Sequence, residues 1–110
     1  MGNITHLEPG SYEAEVYEND LPVLVDFYAD WCPPCRKLGP VIEELAEELE
    51  GKVAVYKVNI QDHQSLAIDN GVSNIPTLII YKDGKIVNTL TGNRPKKSIL
   101  SELEPLMYFT

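Results

Sequence analysis

Two cysteines stand three positions apart in the stretch Trp31-Cys32-Pro33-Pro34-Cys35, and they are the only two in a chain of 110 residues. Three kinds of chemistry use cysteines at this spacing: a structural bridge, half of a metal site, or a redox pair that makes and breaks its own disulfide. A closed metal site needs about four ligands. The chain adds only His6 and His63, far from the pair in sequence and without zinc spacing, so no metal or cofactor is expected. A bridge kept for stability alone would close a tiny loop, where the chain-entropy model assigns the least stabilisation. Stable disulfides are also uncommon in the cytoplasm. A redox dithiol is the reading these arguments favour.

The chain around the pair gives each sulfur a distinct setting. Val23, Leu24, Val25, Phe27 and Tyr28 form a nearly continuous apolar run, the mark of a strand covered on both faces. After the cysteines, Leu38, Val41 or Ile42, Leu45 and Leu49 recur at helical spacing, with Glu43, Glu44, Glu47 and Glu48 on the other side. Cys32 therefore falls between a strand and the start of a helix. The first helical turn carries unpaired N–H groups and the positive end of the helix dipole. Both favour an anion, and the thiolate is the nucleophile of disulfide exchange. Arg36 and Lys37 add positive charge nearby. Cys35, one turn inward, is near enough to close a disulfide with Cys32. Cys32 is expected to be the exposed, attacking sulfur and Cys35 the less exposed, resolving one.

The remaining elements alternate. Residues 4–7 read as a short strand, 12–18 as a short helix, 52–60 as a second buried strand, and 62–70 as a helix closed by Gly71. Residues 77–81 and 85–90, joined through Lys82-Asp83-Gly84, read as a β-hairpin. Pro95 opens a last helix carrying Ile99, Leu103 and Leu106. Pro40 should kink the long helix and Pro105 disturb the end of the last one. The order β-α-β-α-β-α-β-β-α predicts an α/β fold of three layers, a mixed sheet of about five strands flanked by about four helices.

Composition limits the partners. With 44% hydrophobic residues, residues 1–110 can form one domain with its own core. The net charge of −8 argues against nucleic acid, which demands clustered Lys and Arg, and against an anionic membrane surface. The opening MGNITHLEPG has no basic region followed by an apolar run, and no apolar stretch approaches the roughly 20 residues of a membrane helix. A soluble, cytoplasmic monomer is expected.

The motif Trp31-Cys32-Pro33-Pro34-Cys35, placed after the strand VLVDFYA, resembles the thioredoxin family. A C-x-x-C beside a βαβ pattern is that family's own hallmark, so this is recognition of a known signature. The resemblance spans nearly the whole chain: Asp26 in the strand before the cysteines, Lys57 in the next central strand, Ile75-Pro76-Thr77, Gly84 at the hairpin and Gly92 after the last strand. On residue type alone, Asp26 is either a satisfied strand-end carboxylate or a functional charge, since a charge in an apolar run is costly unless paired or used. The resemblance favours the second: Asp26 lies behind Cys35 and accepts the resolving thiol's proton, with a pKa raised by burial. Lys57 is either its charge partner or a lysine reaching out to water, and the resemblance implies the former. Only about 5–6% of X-Pro bonds in folded proteins are cis; the resemblance implies that Ile75–Pro76 is one. It also implies that Trp31, Ile75, Pro76 and Gly92, with Val72 beside them, form a shallow surface where an extended client segment docks.

The implied activity is reduction of protein disulfides through the Cys32/Cys35 dithiol. The clients are disulfide-containing proteins. A separate reductase, NADPH- or ferredoxin-linked, restores the dithiol, because no nucleotide-binding glycine pattern occurs here. Two rivals stand beside this: a thiol oxidase or isomerase on the same fold, and an interaction subunit of a larger complex with secondary redox activity. The chain departs from the family's usual pattern in carrying Pro33 where Gly is usual and Tyr28 where Trp is common, with Asn74 and Asn93 at sites that are often smaller or apolar. Pro33 and Pro34 both lack an N–H, which leaves the Cys35 N–H and the helix dipole to stabilise a Cys32 thiolate.

Overall fold

A computed structural model describes residues 4–107. Its strands are β1 (Thr5–His6), β2 (Val23–Tyr28), β3 (Ala54–Asn59), β4 (Thr77–Lys82) and β5 (Lys85–Thr91), and its helices are α1 (Pro33–Glu48), α2 (Gln64–Asp69) and α3 (Lys96–Met107). The sheet order is β1-β3-β2-β4-β5. β1 and β2 run parallel to β3, and β4 runs antiparallel to β2 and β5. β2 is thus central, paired with β3 over 23–28 and with β4 over 23–27, which is why its residues read as a nearly continuous apolar run.

The sheet is covered on both faces, as the alternation requires. Leu38, Ile42 and Leu45 of α1 and Ile99 and Leu103 of α3 pack on one face, against Leu24, Leu78 and Ile80. Tyr12, Val16 and Leu66 pack on the other, against Val25, Phe27 and Ile79. β2 therefore sends odd-numbered side chains to the α2 side and even-numbered ones to the α1 side. Asp26 belongs to the even set. Among the described residues no helix is long and apolar enough to cross a membrane.

The first helical segment differs from a regular helix. The span expected as one helix over residues 12–18 begins earlier, as a 3-10 turn (Pro9–Ser11), and continues as a π-type turn (Glu13–Tyr17). Tyr12 and Val16 are anchored in the core on one side of these turns. The Tyr12 hydroxyl is hydrogen-bonded to that of Tyr81 at 2.6 Å, and Tyr81 donates to Asn70 Oδ1 at 2.6 Å, so buried hydroxyls tie this segment and α2 to β4. Pro40 lies inside α1 and Pro105 inside the last turns of α3.

The β4–β5 turn constrains its residues tightly. Asp83 has φ +55° and Gly84 φ +79°, the paired positive values of a tight hairpin turn. A Cβ on Gly84 would also sit 2.9 Å from the Tyr17 carbonyl oxygen. Gly84→Ala is therefore expected to destabilise the fold by about 1–3 kcal/mol. The check is a lower urea midpoint at unchanged m-value. A midpoint equal to wild type would mean that the turn and the Tyr17 backbone relax freely.

Candidate active site

The end of β2 and the start of α1 bring the motif together. Cys32 is the N-cap of α1, with extended backbone (φ −96°, ψ 107°), and Pro33 and Pro34 occupy the first two helical positions. Proline suits that first position, where its missing N–H is an orphan in any case. Cys32 and Cys35 form a disulfide with their Cα atoms 5.2 Å apart. The Cys35 N–H points at the Cys32 sulfur, 3.3 Å away. An N-cap side chain accepts from the second or third helical N–H. Here the second belongs to Pro34, which has none, so a single donor faces the sulfur.

The sulfurs are not distinguished by burial. Cys32 is 3% exposed and Cys35 5% exposed, so the expected exposed Cys32 beside a less exposed Cys35 is not what the oxidised protein has. They differ in what they face. Cys32 lines a groove of about 420 Å³ with Trp31, Pro34, Ile60, Val72 and Ile75. Its sulfur lies 4.0 Å from the Ile75 carbonyl oxygen. Cys35 lines a separate cavity of about 470 Å³ with Tyr28, Arg36, Glu43 and Lys57. Cys32 therefore meets whatever enters the groove, while Cys35 lines a second surface cleft with charged walls.

The groove carries the expected docking residues in part. Trp31, 61% exposed, and Ile75 form its walls on either side of Cys32. The Ile75–Pro76 bond is cis. Pro76 itself is buried, and its carbonyl accepts from the Gly92 N–H at 2.9 Å. Gly92 has φ +82°, in the left-handed region that favours glycine. Pro76 and Gly92, expected at the docking surface, do not line this groove; they are joined to each other by that hydrogen bond. Ile60, which sequence reading did not single out, lines it too. Its only sequence signal was its place as the last residue of the run expected as a strand over 52–60.

Asp26 and Lys57 sit in register across β2 and β3. Asp26 is 1% exposed, and neither of its carboxylate oxygens accepts a hydrogen bond from a described residue. Burial disfavours the charged form and raises its pKa from 3.8 to about 6, while the Lys57 charge pulls the other way. Lys57 makes no ion pair with Asp26; its ammonium lies over the Tyr28 ring, 4.5 Å from the centroid. Among the described residues no three His, Cys, Asp or Glu side chains cluster as a metal site.

A disulfide at a helix N-terminus, open to an apolar groove on one side and to a cleft lined by Lys57 on the other, can accept and pass on electron pairs by sulfur exchange. Fold and site define a dithiol–disulfide oxidoreductase. The family model described as thioredoxin matches residues 3–105. The chain is 44% identical to a thioredoxin of Pyropia yezoensis over 92% of its own length and 94% of that protein's. It is 40% identical to a thioredoxin of Haemophilus influenzae, over 90% and 92%, and 40% identical to "Thioredoxin 1" of a Nostoc species, over 94% and 97%. The chain belongs to the thioredoxin family and is a protein-disulfide reductase of the dithiol-exchange type.

Proposed function

We propose that Cys32 is the attacking sulfur and Cys35 the resolving one, in a single domain that acts as a cytoplasmic monomer on disulfide-containing proteins and so maintains thiol balance in the cell. The Cys32 thiolate attacks one sulfur of a client disulfide. A mixed disulfide forms and the client's other sulfur leaves as a thiolate. Cys35 gives its proton to Asp26 and attacks Cys32 Sγ. The client leaves with both sulfurs reduced, and the Cys32–Cys35 disulfide remains. A separate thioredoxin reductase, NADPH- or ferredoxin-linked, returns two electrons. Lys57 supplies the positive charge that keeps the ionised Asp26 accessible. Trp31, Ile75, Pro76 and Gly92 form or support the docking surface for an extended client segment.

The observation that carries this reading is the unequal outlook of the two sulfurs, Cys32 into the apolar groove and Cys35 into the cavity lined by Lys57. The test of catalysis is reduction of a disulfide substrate with dithiothreitol as donor, comparing wild type with a Cys32→Ser, Cys35→Ser double variant. Equal rates would reduce the chain to a scaffold.

The reducing direction has its own test in the two prolines. A Cys32 thiolate with one N–H donor is weakly stabilised, and a less stabilised dithiol is the stronger reductant. The wild-type couple is expected near the family's own reference value of about −270 mV, far from the about −120 mV of a dedicated oxidant. The cap geometry singles out Pro34: Pro34→Ala restores the second helical N–H and should raise the potential on the order of 30 mV, a tenfold change in equilibrium constant. Pro33→Gly adds only the first N–H and should change it less. Equilibration with glutathione measures both. A wild-type value at the oxidant end would favour the oxidase or isomerase reading.

A further inference from the structure

Lys57 has two partners within reach and rests on the uncharged one. It is the register neighbour of Asp26, so both side chains leave the same face of the sheet, and Tyr28, two residues further along β2, shares that face. A long side chain in a sheet reaches either its direct or its diagonal cross-strand neighbour. The ammonium lies over the Tyr28 ring, 4.5 Å from the centroid. Among the described residues no carboxylate is in ion-pair reach of it, and both Asp26 oxygens are without partners.

We propose that Tyr28 is a positioning residue, whose ring holds the Lys57 ammonium off Asp26 and so leaves the buried carboxyl unpaired. The energetics favour this arrangement. Closing on Asp26, 1% exposed, would strip the ammonium of its water, and buried ion pairs recover that cost poorly. Over a half-buried ring the ammonium gains the attraction of the aromatic face and stays at the cavity rim. The ring is itself fixed. Its hydroxyl meets His6 Nδ1 at 3.3 Å, and the His6 ring stands edge-on to it at 6.1 Å.

The other groups around the pair do not substitute for the lysine. Opposite Asp26 on β4 is the apolar Leu78. The cavity that Lys57 and Tyr28 line also receives Cys35, Arg36 and Glu43 from α1 and Asp30 from the loop after β2. Arg36 is engaged elsewhere, donating to the Asp30 carbonyl at 2.9 Å. Lys57 is thus the cation whose position decides how readily Asp26 ionises. The proposal rests on the proton-acceptor reading of Asp26 only for its catalytic consequence.

The experiment follows the Asp26 carboxyl carbon by NMR across a pH titration of the full chain. Tyr28→Phe keeps the ring and loses the His6 contact; it should titrate as wild type. Tyr28→Leu removes the ring and frees Lys57 to close on the carboxylate, and the Asp26 titration should fall by about one pH unit, a tenfold loss of proton affinity. Adding Lys57→Met to Tyr28→Leu should reverse the fall. An unchanged titration in Tyr28→Leu, or an equal fall in Tyr28→Phe, overturns the proposal. The wild type alone supplies a check independent of any variant's folding. The Lys57 Cε protons should be shifted upfield by the ring current, and ordinary lysine shifts there also overturn it. A lowered Asp26 titration with an unchanged resolving rate would uphold the positioning by Tyr28 and remove the proton-acceptor role from Asp26.

Discussion

Replacing Cys35 with serine is expected to turn the enzyme into a trap. Cys32 can still attack a client disulfide, but no second sulfur is left to release the product. Mixed disulfides should accumulate and run as higher-mass, reductant-sensitive species on non-reducing gels. Cys32→Ser should trap nothing and lose ~10³-fold or more of the activity, because removing a nucleophile removes the covalent route altogether. The asymmetry comes from position and not from exposure, since both sulfurs are buried in the oxidised protein. Cys32 stands at the helix N-terminus and lines the groove, whereas Cys35 is one turn inside α1 and lines the opposite cavity. Trapping that depends on Cys35 and survives Cys32→Ser would reverse the assignment.

Asp26→Asn is expected to stabilise the protein at neutral pH while slowing the resolving step. The folded carboxyl titrates at about 6 against 3.8 in the unfolded chain, because burial outweighs the attraction of Lys57. Between those values the folded state binds more protons than the unfolded one, so stability falls as pH rises through that window. Above pH 6 the cost is fully present, and at about 1.4 kcal/mol per unit it amounts to about 3 kcal/mol. Asparagine cannot ionise. The variant should therefore gain about 3 kcal/mol over wild type between pH 3 and pH 8, read as a difference of urea unfolding free energies at the two pH values. In single-turnover reduction, release of client from the mixed disulfide should slow in the variant. In wild type it should speed up as pH rises through about 6, where Asp26 becomes able to accept a proton. A difference in stability between the two proteins that does not change with pH would mean that Asp26 is not buried as an acid. Identical resolving rates would remove it from the mechanism.

Asp26 was legible because it breaks an otherwise apolar strand, and one strand's alternation already fixes its face. Leu38, Ile42, Leu45 and Leu49 announced α1 by spacing alone, and the strand before it placed Cys32 at a helix start. What the sequence did not carry is what depends on distant segments meeting. The burial of Cys32 is set by Ile60 and Ile75, which arrive from the ends of β3 and the loop before β4. The register of Asp26 with Lys57 followed from two adjacent parallel strands, but the resting place of the ammonium depends on a competition between hydration and an aromatic face that no local pattern encodes. The cis bond before Pro76 was implied by family resemblance and by no local physical signal. In the 3-10 and π-type turns Tyr12 and Val16, four residues apart, are both buried, as they would be in a regular helix. Hydrophobic spacing marks which side is buried and leaves the exact winding to the rest of the chain.

Trp31 has a practical consequence beyond its place in the groove wall. It is the only tryptophan in the chain, it is bonded directly to Cys32, and it is mostly exposed. Selective excitation of indole therefore interrogates a single point in the molecule, next to the sulfurs that change oxidation state. The protein carries its own optical probe: closure and opening of the disulfide, arrival of a client and its departure can each be followed in real time by emission, with no label and no substitution.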